Sequence, residues 1–387
     1  MRVGIVSRVL APSGNLRWSL GLGRALSDLG HDVTLLFFRD SPAREALDTQ
    51  RNRLKVEVSE RGARAHFSRL AGTPVLKMKY FENGFPPDAA PEPISWMLLP
   101  LLASWQNRFD LLLCYDQYVA VAGLALERFH GIPYVVFTHE TPAPREPAIL
   151  RMFLQPWQAA VFGGARLRCA PTKRIADGAM QIFGVDFSVI EYGCSPVDAM
   201  MDRKDNYVLV DTRWTIARDP FFLLEVAKRL SDVDFILAGL FVSHDLFSRF
   251  QSEMLRLDLA RRINIRLHPT EAEYSYLYKH ALAYLRWTAR ATDGFVETGP
   301  SLGVYRALEA GCPLVVTTDL SGAEELHARS VAIRAERNPA SVADAIEVLR
   351  TDQSLSQEMA NRSWALSKEW SWSNRAMQLL SRLSDKG

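Results

Sequence analysis

At 387 residues the chain is too long for one ordinary hydrophobic core, and about 150 residues per domain divides it into two. Its 48% hydrophobic and 23% charged residues describe a packed globular protein, and no run approaches the roughly 20 apolar residues that span a bilayer. A net charge of +2 excludes the concentrated basic face of a nucleic-acid binder. Cys114, Cys169, Cys194 and Cys312 lack paired or metal-like spacing, which excludes a disulfide framework and a structural zinc and predicts reduced thiols in a cytoplasmic protein.

The opening MRVGIVSRVL has one early arginine and no small-residue cleavage site, so it predicts a buried strand rather than a signal peptide. RVGIVS is that strand and APSGN the turn after it. A helix follows, in which Leu20, Leu22, Leu26 and Leu29 recur at helical spacing until Gly30 stops the run. HDVTLLFF supplies the next strand and closes a strand-helix-strand unit. Between Arg51 and Lys79 the chain carries Arg51, Arg53, Lys55, Arg61, Arg64, Arg69, Lys77 and Lys79 against Glu57 and Glu60. That block predicts a solvated face, with an anionic membrane surface or an acceptor surface as the alternative.

FENGFPPDAAPEP is a loop by its composition, and DLLLCY, a helix ending in RFHG, and IPYVVFTH then repeat the strand-helix-strand scheme. In ILRMFLQPWQAAVFGG the large Phe153, Trp157 and Phe162, with Arg145 and Arg151 nearby, allow a membrane-facing helix. Core packing is the preferred reading, because Pro156 is expected to interrupt the helix and apolar residues occur all round it. The polar YGCSPVDAMMDRKDN suits an interdomain linker. A second series of strands follows it: YVLVDT, DFILAGL, INIRLH, ALAYLRW and PLVVTT, alternating with helical segments such as FFLLEVAKRL and EYSYLYKHA. Both halves are therefore α/β, each a doubly wound parallel sheet.

Such sheets bind ligands beyond the carboxyl ends of their strands. SRVLAPSGN follows the first strand, and Gly14 there lets the backbone approach a phosphate or sugar at a helix start. His139 follows YVVFT directly, beside Glu140. Arg213 and Arg218 follow YVLVDT, where two guanidiniums could clamp a diphosphate and stabilise its charge as it leaves; a surface salt bridge is the alternative. Gly299, Pro300, Ser301 and Gly303 form a turn into the helix LGVYRALEAG, a second place for an anion. Asp232 and Asp234 precede FILAGL, at the wrong sheet edge for a metal-bound nucleotide, so no essential metal is expected.

In order and spacing these segments resemble the retaining glycosyltransferases of family 4. SGNLRWSLGLGRALSDLGHDVTLL resembles that family's opening loop and helix, GIPYVVFTHE its strand ending in an active-site histidine, and TRWTIARDP its two-cation segment. GPSLGVYRALEAGCPLVVTTD resembles its donor-binding signature, and EWSWSNRAMQLLSRL its terminal helix. The resemblance implies a GT-B fold, two Rossmann-like domains facing a central cleft. Residues 1–195 would be the acceptor-side domain, 196–365 the nucleotide-sugar-binding domain, and 366–387 a helix crossing back to the first.

The resemblance further implies transfer of a hexose-type sugar from a nucleotide diphosphate sugar to a saccharide, lipid-linked or natural-product acceptor, with retention and no cofactor. His139 would contact the transferred sugar or the reacting centre. Arg213 and Arg218 would hold the diphosphate, assisted by Gly14 and by Gly299, Ser301, Leu302 and Gly303 at the helix start. Asn15, Arg17 and Glu140 would lie on the acceptor side. The chain departs from the family where it usually carries two glutamates, because Thr298 and Arg306 stand there. Glu297 could replace the first by a one-residue shift, and Glu309 the second only if its helix moved by about one turn, roughly 5.4 Å. The departure motivates an alternative, a non-catalytic sugar-nucleotide-binding or partner-binding relative. A third reading, an NAD-type oxidoreductase, lacks the G-x-G-x-x-G fingerprint.

Overall fold

The computed structural model describes residues 1–7, 14–37, 55–58, 109–117, 119–139, 148–200, 204–241, 243–267, 269–288 and 301–385; for 14–16, 37, 55–58, 148–155 and 213 it describes the backbone alone. The basic block and the FENGFPPDAAPEP loop lie outside these residues, apart from the strand at 55–58.

The first lobe is a parallel sheet of seven strands: β1 (Arg2–Ser7), β2 (Asp32–Phe37), β3 (Lys55–Val58), β4 (Leu111–Cys114), β5 (Tyr134–Phe137), β6 (Leu167–Ala170) and β7 (Ser188–Val189). Their order in space is β3-β2-β1-β4-β5-β6-β7. The second lobe is a parallel sheet of six: β8 (Tyr207–Trp214), β9 (Asp234–Phe241), β10 (Ile263–Leu267), β11 (Ala283–Arg286), β12 (Leu314–Thr317) and β13 (Ala332–Ala335), ordered β10-β9-β8-β11-β12-β13. In each sheet the chain runs outward, returns, and lays a new strand against the first one. The ligand crevice of such a sheet opens at that reversal, here between β1 and β4 and between β8 and β11.

The helices are amphipathic covers for these sheets. In α1 (Gly14–Asp28) the spacing of Trp18, Leu22 and Leu26 buries one face against β1 and β2. Gly30 ends the helix in the left-handed conformation at φ 84°, as the sequence predicts. Among the described residues the other helices of the first lobe are α2 (Ala120–His130), α3 (Ala148–Gly164) and α4 (Lys173–Phe183). Pro156 does not interrupt α3, which runs unbroken through it. The proline removes only one amide donor, and the helix stays anchored downstream by the buried Val161 and Phe162 and by the Tyr134 hydroxyl, which donates to the Val161 carbonyl at 2.5 Å.

The second lobe carries α5 (Pro220–Ala227), α6 (His244–Arg256), α7 (Glu271–His280), α8 (Leu302–Glu309), α9 (Ala323–Ala328), α10 (Pro339–Thr351) and α11 (Gln353–Glu369). Asp234 opens β9 and is exposed, at the edge away from the crevice. The last helix, α12 (Trp372–Ser384), packs on the first lobe, where Trp372, Ala376, Leu379 and Leu383 join the core formed by Trp18, Leu22 and Leu26.

The chain passes between the lobes twice, and the passages are joined. Cys194 donates its N–H to the Trp370 carbonyl at 2.7 Å, and Trp372 donates to the Cys194 carbonyl at 3.2 Å. The Trp372 indole fills the space beside Gly21 and Gly193. A Cβ on Gly21 would lie 2.2 Å from the ring and one on Gly193 2.1 Å, so only glycine admits the indole at either place. All four cysteines are free and buried, and burial pushes the Cys312 thiol up to about 12.

Candidate functional site

At the reversal of the first sheet, the residues just beyond β4 and β5 form an aromatic nest. Tyr115 follows β4 and stacks on the His139 ring, with 4.0 Å between centroids and 26° between planes. The Trp18 ring stands edge-on to both Tyr115 and Phe137, at 5.3 and 4.7 Å. Behind them the Ser7 and Ser19 hydroxyls bond each other in the core, tying the end of β1 to α1. Asp116 accepts from the Val119 N–H at 3.0 Å, fixing the turn into α2, and the Thr138 hydroxyl reaches Gln117 at 3.4 Å. His139 is thus set by the backbone just beyond the carboxyl end of β5.

Tyr192, from the segment that leads to the second lobe, meets His139 at Nδ1. Its hydroxyl lies 2.5 Å from Nδ1 of His139, and the two rings are parallel to within 8° at 5.2 Å. Tyr192 in turn meets Tyr305 of α8 edge to face at 5.2 Å and 88°. A second bridge joins the lobes at Arg17 of α1, whose guanidinium pairs with Glu309 at the end of α8. Glu309 also accepts the Ser195 N–H. A third lies between the ends of β6 and β12, where the Thr172 and Ser321 hydroxyls are 3.2 Å apart and Arg174 donates to the Asp319 carbonyl at 3.1 Å.

On the second lobe, Arg213 lies in the last residues of β8 and Arg218 in the turn after it, at the sheet's reversal. Arg218 is held inside its own lobe: its guanidinium donates to the Thr212 hydroxyl and its carbonyl accepts from the Trp287 indole at 2.9 Å. Ser301 caps α8, accepting from the Gly303 N–H at 3.3 Å. Leu302 and Gly303 form the first turn of α8. A Cβ on Gly303 would lie 2.1 Å from the Tyr284 hydroxyl and 2.8 Å from that of Tyr278, so glycine lets the helix start sit directly on two tyrosines.

Those tyrosines surround Asp211, half-buried in β8. Tyr278 and Tyr274 donate to its carboxylate at 2.8 and 3.2 Å, and Tyr284 to its carbonyl at 3.2 Å. Burial pushes the Asp211 carboxyl above its ordinary range, while nearby Arg306 and the two hydroxyls pull the other way. Arg306 lies over the Tyr274 ring at 4.5 Å and donates to Glu271, in the first turn of α7, at 2.6 Å.

The structure therefore brings Arg17 of the first lobe against α8 of the second, links His139 to α8 through Tyr192, and sets Arg218 at the second sheet's reversal. The Glu309 carboxylate is engaged by Arg17 and the Ser195 N–H. Glu140, Glu297, Thr298 and Gly299 lie outside the described residues; Gly14 and Asn15 open α1, and of Asn15 and Arg213 only the backbone is described. Sequence reasoning missed Tyr115, Tyr192, Tyr305 and Asp211. The strand-end rule that selects His139 also reaches Tyr115, which follows DLLLC. Nothing periodic marks Tyr192, whose role arises from a fold-level juxtaposition. Among the described residues no three His, Cys, Asp or Glu side chains converge as metal ligands, and no helix is long and apolar enough to cross a membrane.

Residues 17–193 match the family described as Glycosyl transferase 4-like domain. No curated protein matches the sequence. Among solved structures the chain is similar to HepE of Anabaena in complex with UDP and glucose, at 16% identity and a TM-score of 0.74, covering 99% of each chain. It is also similar to S. aureus TarM in complex with fondaparinux, alpha-GlcNAc-glycerol and UDP, at 11% identity and a TM-score of 0.70, covering 99% of this chain and 100% of that one. Sucrose-phosphate synthase of Thermosynechococcus elongatus gives 11% identity and a TM-score of 0.68, covering 98% of each. At such identities the likeness carries the fold, and the family match is to residues 17–193. The chain has the GT-B fold, and its residues 17–193 match the family described as Glycosyl transferase 4-like domain.

Proposed function

We propose that this chain is a retaining glycosyltransferase that moves a hexose-type sugar from a UDP- or GDP-sugar to a saccharide, lipid-linked or natural-product acceptor. The observation that carries the reading is the link of the first lobe to α8 at the strand ends, directly from Arg17 to Glu309 and from His139 through Tyr192 to Tyr305. In this reading Arg213 and Arg218 receive the diphosphate, and fixed cationic donors stabilise its charge as it leaves. Ser301, Leu302 and Gly303 at the α8 start, with Gly299, lie along the donor, and Asn15, Arg17 and Glu140 along the acceptor. The bond from the anomeric carbon to the diphosphate breaks, the acceptor oxygen bonds that carbon on the same face, and a diphosphate oxygen takes the acceptor proton. No protein base and no metal is then required. The UDP bound by HepE and TarM supports a uridine donor as the first to try.

A second reading, a non-catalytic sugar-nucleotide binder, is favoured by one observation: Glu271 holds Arg306 and Arg17 holds Glu309, so α8 offers no free carboxylate to the donor. Purified protein incubated with UDP- and GDP-hexoses, with and without EDTA, separates the two. Donor hydrolysis or transfer that survives EDTA supports the enzyme. Stabilisation by a nucleotide sugar without turnover, unchanged in His139→Ala, supports the binder, and no response to any nucleotide sugar overturns both.

A further inference from the structure

We infer that Tyr192 is the positioning residue of His139, holding the imidazole as its Nε2-protonated tautomer and tying that state to the seating of the second lobe. The inference rests on the reading of His139 as the residue at the transferred sugar. Four observations carry it. The Tyr192 hydroxyl is 2.5 Å from Nδ1 of His139. Tyr115 packs on the face of the imidazole, and the Tyr192 ring lies parallel to the imidazole to within 8° with its hydroxyl at Nδ1, so stacking and the hydrogen bond together restrain the ring. The Tyr192 backbone N–H bonds the buried Tyr305 hydroxyl, and the two rings meet edge to face. Cys194, two residues further on, is bonded to Trp370 where the chain passes between the lobes.

The direction of the hydrogen bond follows from acidity. A phenol, with a pKa of about 10, gives up its proton far more readily than the N–H of a neutral imidazole, so Tyr192 donates and Nδ1 accepts. The imidazole proton then sits on Nε2, which makes that nitrogen a donor and not a base. A donor suits a sugar hydroxyl or the charge of a departing diphosphate, and it fits a transfer in which the diphosphate itself takes the acceptor proton. A hydrogen-bonded neighbour that sets the tautomer of a functional histidine is a familiar device of metal and hydrolase sites. Here it comes with a second property. Tyr192 is supported by Tyr305 on α8, so separating the lobes removes that support, and the donor at Nε2 is in place only when the lobes are seated together.

Tyr192→Phe tests this, because it keeps the ring contacts and deletes only the hydroxyl. With histidine labelled in 15N and His139 assigned by its loss in His139→Ala, the wild-type ring should show a proton on Nε2 alone, and Tyr192→Phe a mixture of tautomers. Turnover of the nucleotide sugar should fall about tenfold, as for one lost positioning bond, with KM for the donor little changed. Tyr305→Phe, which leaves the His139 bond intact but deletes the acceptor beneath Tyr192, should move the spectrum in the same direction by less. A wild-type proton on Nδ1, or a Tyr192→Phe protein with unchanged spectrum and unchanged turnover, overturns the inference. The spectrum needs no substrate. A tautomer that responds as stated in a protein without turnover would uphold the positioning and sink the functional reading instead.

Discussion

Arg17 and Glu309, 292 residues apart in the sequence, form one ion pair that joins the first turn of α1 to the last residue of α8. One guanidinium nitrogen serves both carboxylate oxygens, and the Ser195 N–H, from the first passage between the lobes, completes the site. Glu309 is nearly out of water at 9% side-chain exposure, whereas Arg17 keeps 20%. The pair thus reports how closely the lobes approach.

Arg17→Ala leaves a buried carboxylate facing a single amide. The loss should be about 2 kcal/mol, less than for a fully buried pair because Arg17 retains some water contact. Urea unfolding gives the stability, and small-angle scattering should show a larger radius of gyration. Unchanged scattering would mean that the pair does not hold the lobes together.

Arg218 is the guanidinium at the second sheet's reversal whose support is defined, by Thr212 and Trp287. Removing one preorganised donor from a developing negative charge typically lowers turnover by about 100-fold or more. Arg218→Ala is expected to do so in steady-state transfer, with Arg218→Lys in between, since lysine keeps the charge and loses the fork. A loss confined to KM would place Arg218 in ground-state binding only.

Trp372 should be the most sensitive apolar position at the passage between the lobes. Trp372→Ala empties the space beside Gly21 and Gly193 and should cost about 4 kcal/mol. Gly21→Ala should destabilise in the opposite sense, by overpacking, because its Cβ would sit 2.2 Å from the indole. Thermal denaturation of both variants checks this, and a tolerated Gly21→Ala would show that the indole can move aside.

Asp211 predicts a pH effect of defined sign. Burial raises its folded-state value above the ordinary 3.8, so the unfolded chain ionises first as pH rises. From 3.8 upward to the raised value, stability is lost; above it the penalty stays constant. Asp211→Asn keeps one acceptor for the tyrosine hydroxyls and cannot ionise. Relative to wild type it should therefore gain stability on going from pH 3 to pH 7, measured by urea unfolding at each pH. A difference between the two proteins that does not change with pH would show that Asp211 is not perturbed.

Much of the fold was legible because it is written in local periodicity. RVGIVS, DLLLCY and YVLVDT are short apolar runs between turn residues, and buried parallel strands are built from such runs. Pro156 was misread because the proline rule weighs one lost hydrogen bond and not the anchoring downstream, where Val161 and Phe162 hold α3 to the sheet. His139 and Arg218 were selected because they follow strands, and the structure places both at strand ends.

The alternation of strand and helix in the two halves, and which residues follow the strands, were determined by the sequence alone, since each depends on the pattern of near neighbours along the chain. The partners of those residues were decided only by tertiary structure. Which tyrosine meets His139, and whether Glu309 turns to a donor or to Arg17, depends on how two separately folded lobes face each other. The chain encodes that facing through contacts between distant residues, such as Trp372 against Gly21 and Cys194 against Trp370, and no local pattern marks them.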